Sequence, residues 1–221
     1  MRLEHMIITR NKPFTEIIAS LNGYTRIFLV GCGECSTTCK TGGEQELLRM
    51  KEALQAQGKE VVGMCLPKAP CVMSQVKVEL AKHTPLLRKA EAVLVMACGL
   101  GVQAARQSDR MKHDILPALD TVCGAVVETA GDFDERCSLC GACVLGDTAG
   151  YCPVTLCAKG LLNGPCGGMD KGKCEVDKDR DCVWVLIHKE LKARKKGAGL
   201  KNIRQPRDYQ KSTRPHRVRL S

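Results

Sequence analysis

Eight cysteines fall at positions 137, 140, 143, 152, 157, 166, 174 and 182, and eight glycines, from Gly141 to Gly172, are scattered among them. No continuous apolar period appears before residue 182, so this stretch cannot bury enough surface to fold unaided. Something must staple it. The chain is therefore constrained to carry a loop-rich module organised by bonds to sulfur.

Three kinds of staple compete. The chain holds 15 cysteines against 3% aromatic residues, and an odd thiol count leaves at least one cysteine outside any disulfide framework. The start, MRLEHMIITRNKPF, has no apolar signal-peptide core, and no apolar run is long enough for a membrane span. A soluble cytoplasmic chain is expected, where closely spaced cysteines hold metal more often than they pair. Cys137, Cys140 and Cys143 form C-x2-C-x2-C, and Cys152 is followed by Pro153. This is a ferredoxin-like arrangement, in which three thiolates grip one face of a cubane and a distant one completes it. Eight residues separate Cys143 from Cys152, more than in a bacterial ferredoxin, so the fourth leg stays open among Cys152, Cys157, Cys166, Cys174 and Cys182. Structural zinc favours paired C-x2-C knuckles or added histidine, and no histidine lies between Cys137 and Cys182. Eight thiols make two 4Fe-4S cubanes, with one cubane and one zinc as the alternative.

The preceding region has a different texture. RIFLVGC (26–32), EVVGMC (60–65) and AVLVMAC (92–98) read as buried strands. ELLRMKEALQAQG (46–58), QVKVELAKHTPLLRKA (75–90) and GVQAARQ (101–107) read as helical segments between and after them. The expected fold is α/β: a small parallel sheet with helices over residues 1–130, then a cysteine-rich module over 131–196 and a basic extended tail over 197–221. Each strand run ends in a cysteine, Cys32, Cys65 or Cys98, and ligands of open parallel sheets gather outside those ends. Cys35, Cys39 and Cys71 lie close by in sequence, so the six offer ligands for a third cluster, with buried structural cysteine and a catalytic thiol as the other readings. A phosphate loop is disfavoured, since neither G-x-G-x-x-G nor G-K-[ST] is present.

Charge is divided unevenly. Residues 189–221 hold 12 Lys and Arg against Glu190 and Asp208, so the formal net charge of +10 resides in the tail. Tyr209 is its one aromatic residue, which argues against base stacking and makes nucleic acid a poor partner. The tail is expected to lie along a partner protein. From Asp181, an expected N-cap, DCVWVLIHKELKARKK places Val183, Trp184, Ile187 and Leu191 on one side of a helix, read as closing the cysteine module. His5, His83, His113, His188 and His216 are scattered, and no acid–base pair stands in a defined setting.

The run CSLCGACVLGDTAGYCPVTLCAKGLLNGPCGGMDKGKCEVDKDRDCVWVLIHKELK resembles the C-terminal module of methylenetetrahydrofolate reductase, the MetV-type iron-sulfur subunit family. VGCGECSTTCKTGGEQE and ACGLGVQ are similar to that family too, so the resemblance spans roughly residues 13–215. It implies a redox subunit without catalysis or a flavin of its own, paired with a flavin-bearing TIM-barrel subunit that reduces 5,10-methylenetetrahydrofolate to 5-methyltetrahydrofolate. Electrons would reach that flavin from a donor protein or subunit through the clusters. The competing reading from another class is a zinc-binding interaction or nucleic-acid-binding module, for which the basic tail speaks. A thiol sensor using Cys98 or Cys123 is a third.

Overall fold

The computed structural model describes residues 6–127 and 133–213. The chain divides into two compact units, Met1–Cys123 and Gly124–Ser221. The first begins with β1 (Ile7–Asn11), α1 (Phe14–Ser20), β2 (Arg26–Val30), α2 (Cys35–Thr38) and α3 (Glu44–Ala56). It continues with β3 (Glu60–Cys65), α4 (Met73–Lys82), α5 (Thr84–Leu87), β4 (Ala92–Val95), α6 (Gly99–Ser108) and β5 (Asp114–Pro117). β6 (Leu119–Val127) closes this unit and runs into the next.

The expected parallel sheet is present, with a fourth strand beyond the three read from the sequence. Its order is β3-β2-β4-β5. β2 and β4 are continuous apolar runs because both of their faces are covered. Phe28, Val30, Val93 and Val95 face one core, completed by Val76 and Leu80 of α4, Leu87 of α5 and Ala104 and Ala105 of α6. Ile27, Leu29, Ala92 and Leu94 alternate onto the other, against Ile17 of α1 and Leu47 and Leu54 of α3. Helices therefore lie on both faces.

Strand order and register together locate the functional rim. Val30 pairs with Cys65 and Val95, and Val95 with Pro117, so the four strands end at one level. The chain leaves β2 towards α3 on one face and leaves β4 towards α6 on the other. Adjacent strands whose connections diverge in this way open a crevice beyond their carboxyl ends. Cys32 and Cys98 follow these two strands.

The second sheet has the order β1-β6-β7, where β7 is Phe133–Cys137. In the second unit, Gly124–Val127 of β6 pair antiparallel with β7. Regular structure is then sparse: α7 (Pro153–Leu156), α8 (Val183–Ala193), a 3-10 helix at Gly197–Lys201 and α9 (Gln210–Thr213). α8 carries the core of the unit. Val183, Trp184, Ile187 and Leu191 are buried on one side of it, as their spacing predicts, against Ala149, Tyr151 and Leu156. Its N-cap is Cys182 rather than the expected Asp181, whose carboxylate instead pairs with Lys173 at 2.9 Å. The first part of the basic tail is fastened to this unit. Arg204 donates its backbone N–H to Asn163 Oδ1 (2.7 Å), accepts from Asn163 Nδ2 (3.1 Å), and reaches Asp147 with its guanidinium (3.0 Å).

Candidate functional site

Among the described residues no cysteine is joined in a disulfide. The eight thiols of the second unit fall into two groups by position. Cys137 ends β7, and the turn after it is set by left-handed backbone at Leu139 (φ 55°) and Gly141 (φ 72°). That curl brings the Leu139 N–H to within 3.4 Å of Cys137 Sγ, the kind of amide-to-sulfur contact that stabilises a ligated thiolate. Cys140 and Cys143 follow on the same turn. Cys152 is the N-cap of α7, and α7 packs against β7. The element that starts at Cys152 thus lies beside the strand that ends at Cys137.

The other four meet elsewhere in the unit. Cys157, Cys166, Cys174 and Cys182 all line one small cleft, partly open to solvent, with Trp184 as one wall. Short backbone links hold it: Cys174 N–H donates to Arg180 O (2.9 Å) and Cys182 N–H to Gly172 O (2.8 Å). Cys166 Sγ donates to Glu175 Oε2 at 3.2 Å. Lys159 bonds the same carboxylate oxygen at 2.6 Å, and together with Cys166 holds the Glu175 carboxyl below its usual range. Glu175 and Lys159 are site residues that spacing does not reveal, because only the fold brings position 159 to 175.

In the first unit, the six thiols read from the sequence differ in their surroundings. Cys32 and Cys98 are buried at the crevice, Cys35 is half-buried and Cys71 exposed. Burial pushes the Cys35 thiol up, a hydrogen bond from the Ile7 backbone opposes this, and Cys32, Cys98 and Cys71 push it further. Cys71 is raised in the same way, first by burial and then by Cys98 and Cys32. Cys39 donates to Ile7 O at 3.7 Å. Cys65 lies in the hydrophobic core with Val30 and Val76, and burial, with Glu79 adding to it, pushes its thiol up to about 12.

The Cys65 shift has a stability consequence with a definite sign. The unfolded thiol ionises near its ordinary value of 9.0, whereas the folded one keeps its proton to about 12, so between those values the folded state binds more protons. Stability is present in full below pH 9 and is lost as pH rises towards 12. Between pH 8 and 10.5 the first unit of the apoprotein should lose about 2 kcal/mol more than its Cys65→Val variant in urea unfolding. Equal losses in the two proteins would refute the placement of Cys65 in the core.

Among the described residues no three Cys, His, Asp or Glu side chains stand close enough together to hold a single metal ion.

No curated protein and no solved structure matches the chain. A family model described as methylene-tetrahydrofolate reductase C terminal matches residues 116–210, a range that holds all eight cysteines of the second unit. The part of the chain that carries α7 and α8 is thus similar to the methylene-tetrahydrofolate reductase C-terminal family.

Proposed function

We propose that the chain is the iron-sulfur electron-transfer subunit of a methylenetetrahydrofolate reductase, passing electrons to the flavin of a catalytic partner. The observation that carries this reading is the sorting of eight cysteines into two sets of four on a scaffold with almost no other core. Cys137, Cys140, Cys143 and Cys152 would hold one 4Fe-4S cluster, and Cys157, Cys166, Cys174 and Cys182 another. Each cluster, when bound, supplies one-electron chemistry.

The chain's own residues set the conditions for that chemistry. The Leu139 N–H beside Cys137 Sγ donates to sulfur and favours the reduced, more negative state. Glu175, ionised and next to Cys166, acts in the opposite direction by placing negative charge near the second set. Among the scattered histidines, His113 is engaged by Asp109 and Leu87 O, and His83 by Glu79 O, which leaves neither poised as a proton-transfer group. Ligand sets without substrate machinery point to a reaction partner on another chain, and the family of residues 116–210 points to a methylenetetrahydrofolate reductase. The basic end of the chain, with 12 Lys and Arg in residues 189–221, suits an acidic surface on that partner.

Anaerobically purified protein should be brown, absorb broadly near 400 nm, contain iron and sulfide in equal amounts, and bleach with dithionite. Mixed with the flavin subunit and a low-potential one-electron donor, it should speed flavin reduction. A colourless protein carrying zinc would sink the proposal.

A further inference from the structure

We propose that a cavity of the second unit, bounded by α8 and the segment that follows it, binds a small aromatic anion: a ring compound carrying a carboxylate, sulfonate or phosphate. This goes beyond the electron-transfer reading and uses none of the proposed cluster ligands.

Three pieces of chain build this cavity. It measures about 480 Å³ and is lined by α8, the loop after α7 and the segment from Gly199 to Arg204. Pockets of that size take one small organic molecule. The segment is fastened at both ends by polar bonds. At one end the Lys196 N–H donates to Leu191 O (2.8 Å). At the other, Arg204 exchanges two hydrogen bonds with Asn163 and reaches Asp147 with its guanidinium. Between these anchors the apolar side chains are not packed away: Leu200 and, from the loop after α7, Met169 line the cavity and are still exposed. Exposed apolar side chains gathered in a concavity mark a place where another molecule's apolar surface is covered. Because the segment is bonded down at Arg204, which itself lines the cavity, the space is bounded on that side and suits a compact molecule rather than a passing strand.

The lining divides by chemistry. Leu162, Pro165, Met169 and Trp184 supply apolar surface, and an indole and a thioether are partners that aromatic rings favour. His188 and Lys189, consecutive and exposed on α8, supply the polar groups. The charges of the lining are Lys189 and Arg204 against Asp147, a net positive setting in which Arg204 already engages Asp147. Asp181 feels the Lys189 charge but bonds Lys173. Lys189 is therefore the cation left to meet an anion, and the His188 imidazole, which carries an N–H in either tautomer, can donate beside it. Pro165, Met169 and Trp184 also line the cleft of Cys157, Cys166, Cys174 and Cys182. An occupant of the cavity would thus stand one layer of side chains from those thiols.

The test uses the full chain, purified anaerobically, with naphthoate, naphthalenesulfonate and naphthyl phosphate as probes and naphthalenemethanol as the uncharged control, each followed by isothermal titration. At least one anion should bind once per chain and about 10-fold or more tightly than the alcohol, which lacks the bond to a charged group. The ranking of the three anions tells carboxylate, sulfonate and phosphate apart. Lys189→Glu and Leu200→Glu alter exposed residues on two different elements of the lining, and each should weaken the best anion by about 10-fold or more. Absence of saturable binding by all three anions, equal affinity for the alcohol, or wild-type affinity in either variant overturns the proposal. Iron enters none of these readouts. A protein that proved to hold zinc would sink the electron-transfer reading and would still be expected to bind the anion.

Discussion

Replacing Cys137, Cys140 and Cys143 together by serine should remove about four irons from the protein and slow reduction of the partner's flavin by more than about 100-fold. These residues form three legs of one proposed cluster, and a serine hydroxyl is a far poorer iron ligand than a thiolate. Cys152→Ser alone should remove the same cluster, because α7 sets Cys152 beside the end of β7. Cys123 belongs to neither group, so Cys123→Ser should keep wild-type iron. The measurement is anaerobic stopped-flow of the assembled complex, following flavin bleaching after a one-electron donor is added. Flavin content of the partner is the control, since it must not change. Unaltered flavin reduction in the triple variant would show that electrons reach the flavin by another route.

The identity of the fourth leg shows where sequence stops and structure begins. Spacing marks Cys137, Cys140 and Cys143 as a set because a C-x2-C-x2-C run can curl around one face of a cubane. It leaves five residues competing for the fourth place, since each is reached through glycine-rich loops whose path no periodicity reports. The start of α7 against β7 and a cleft shared by the other four are the observations on which the proposed assignment of Cys152 rests. In the first unit the central strands were legible for a physical reason: RIFLV and AVLV are apolar on both faces and fit only the middle of a covered sheet. β5 was not, because Asp114–Pro117 is a short edge strand ending in proline, with no alternation to mark it. The crevice was legible as a place but not in its membership. Cys32 and Cys65 both pack in the core on one face of the sheet, so the end of a strand alone does not say which thiols face the crevice. Asp181 was expected as an N-cap on residue type, and an ion pair with Lys173 claims its carboxylate instead.

Trp184→Ala should unfold the second unit while leaving the first intact. Trp184 is the chain's single tryptophan, 5% exposed, and it packs with Val183, Ile187 and Leu191 in the one hydrophobic cluster of its unit among the described residues. Its indole N–H donates to Leu161 O at 3.0 Å, which ties the loop after α7 to α8. Truncating a buried tryptophan costs about 3–5 kcal/mol, and Leu161 O loses its donor besides. A large domain could absorb such a loss. This unit cannot, because so few other apolar side chains are buried in it. Trp184 is also a wall of the cleft lined by Cys157, Cys166, Cys174 and Cys182, so that iron group should be lost with the fold. Trp184→Phe refills most of the volume but not the hydrogen bond, and should keep the unit folded at a cost of about 1–2 kcal/mol. Limited proteolysis read by mass spectrometry separates the outcomes: the alanine variant should be cut throughout residues 138–196 while fragments spanning 6–123 persist. Equal resistance in the alanine variant and the wild type would mean that bonds to sulfur alone hold this unit and that the α8 core is dispensable.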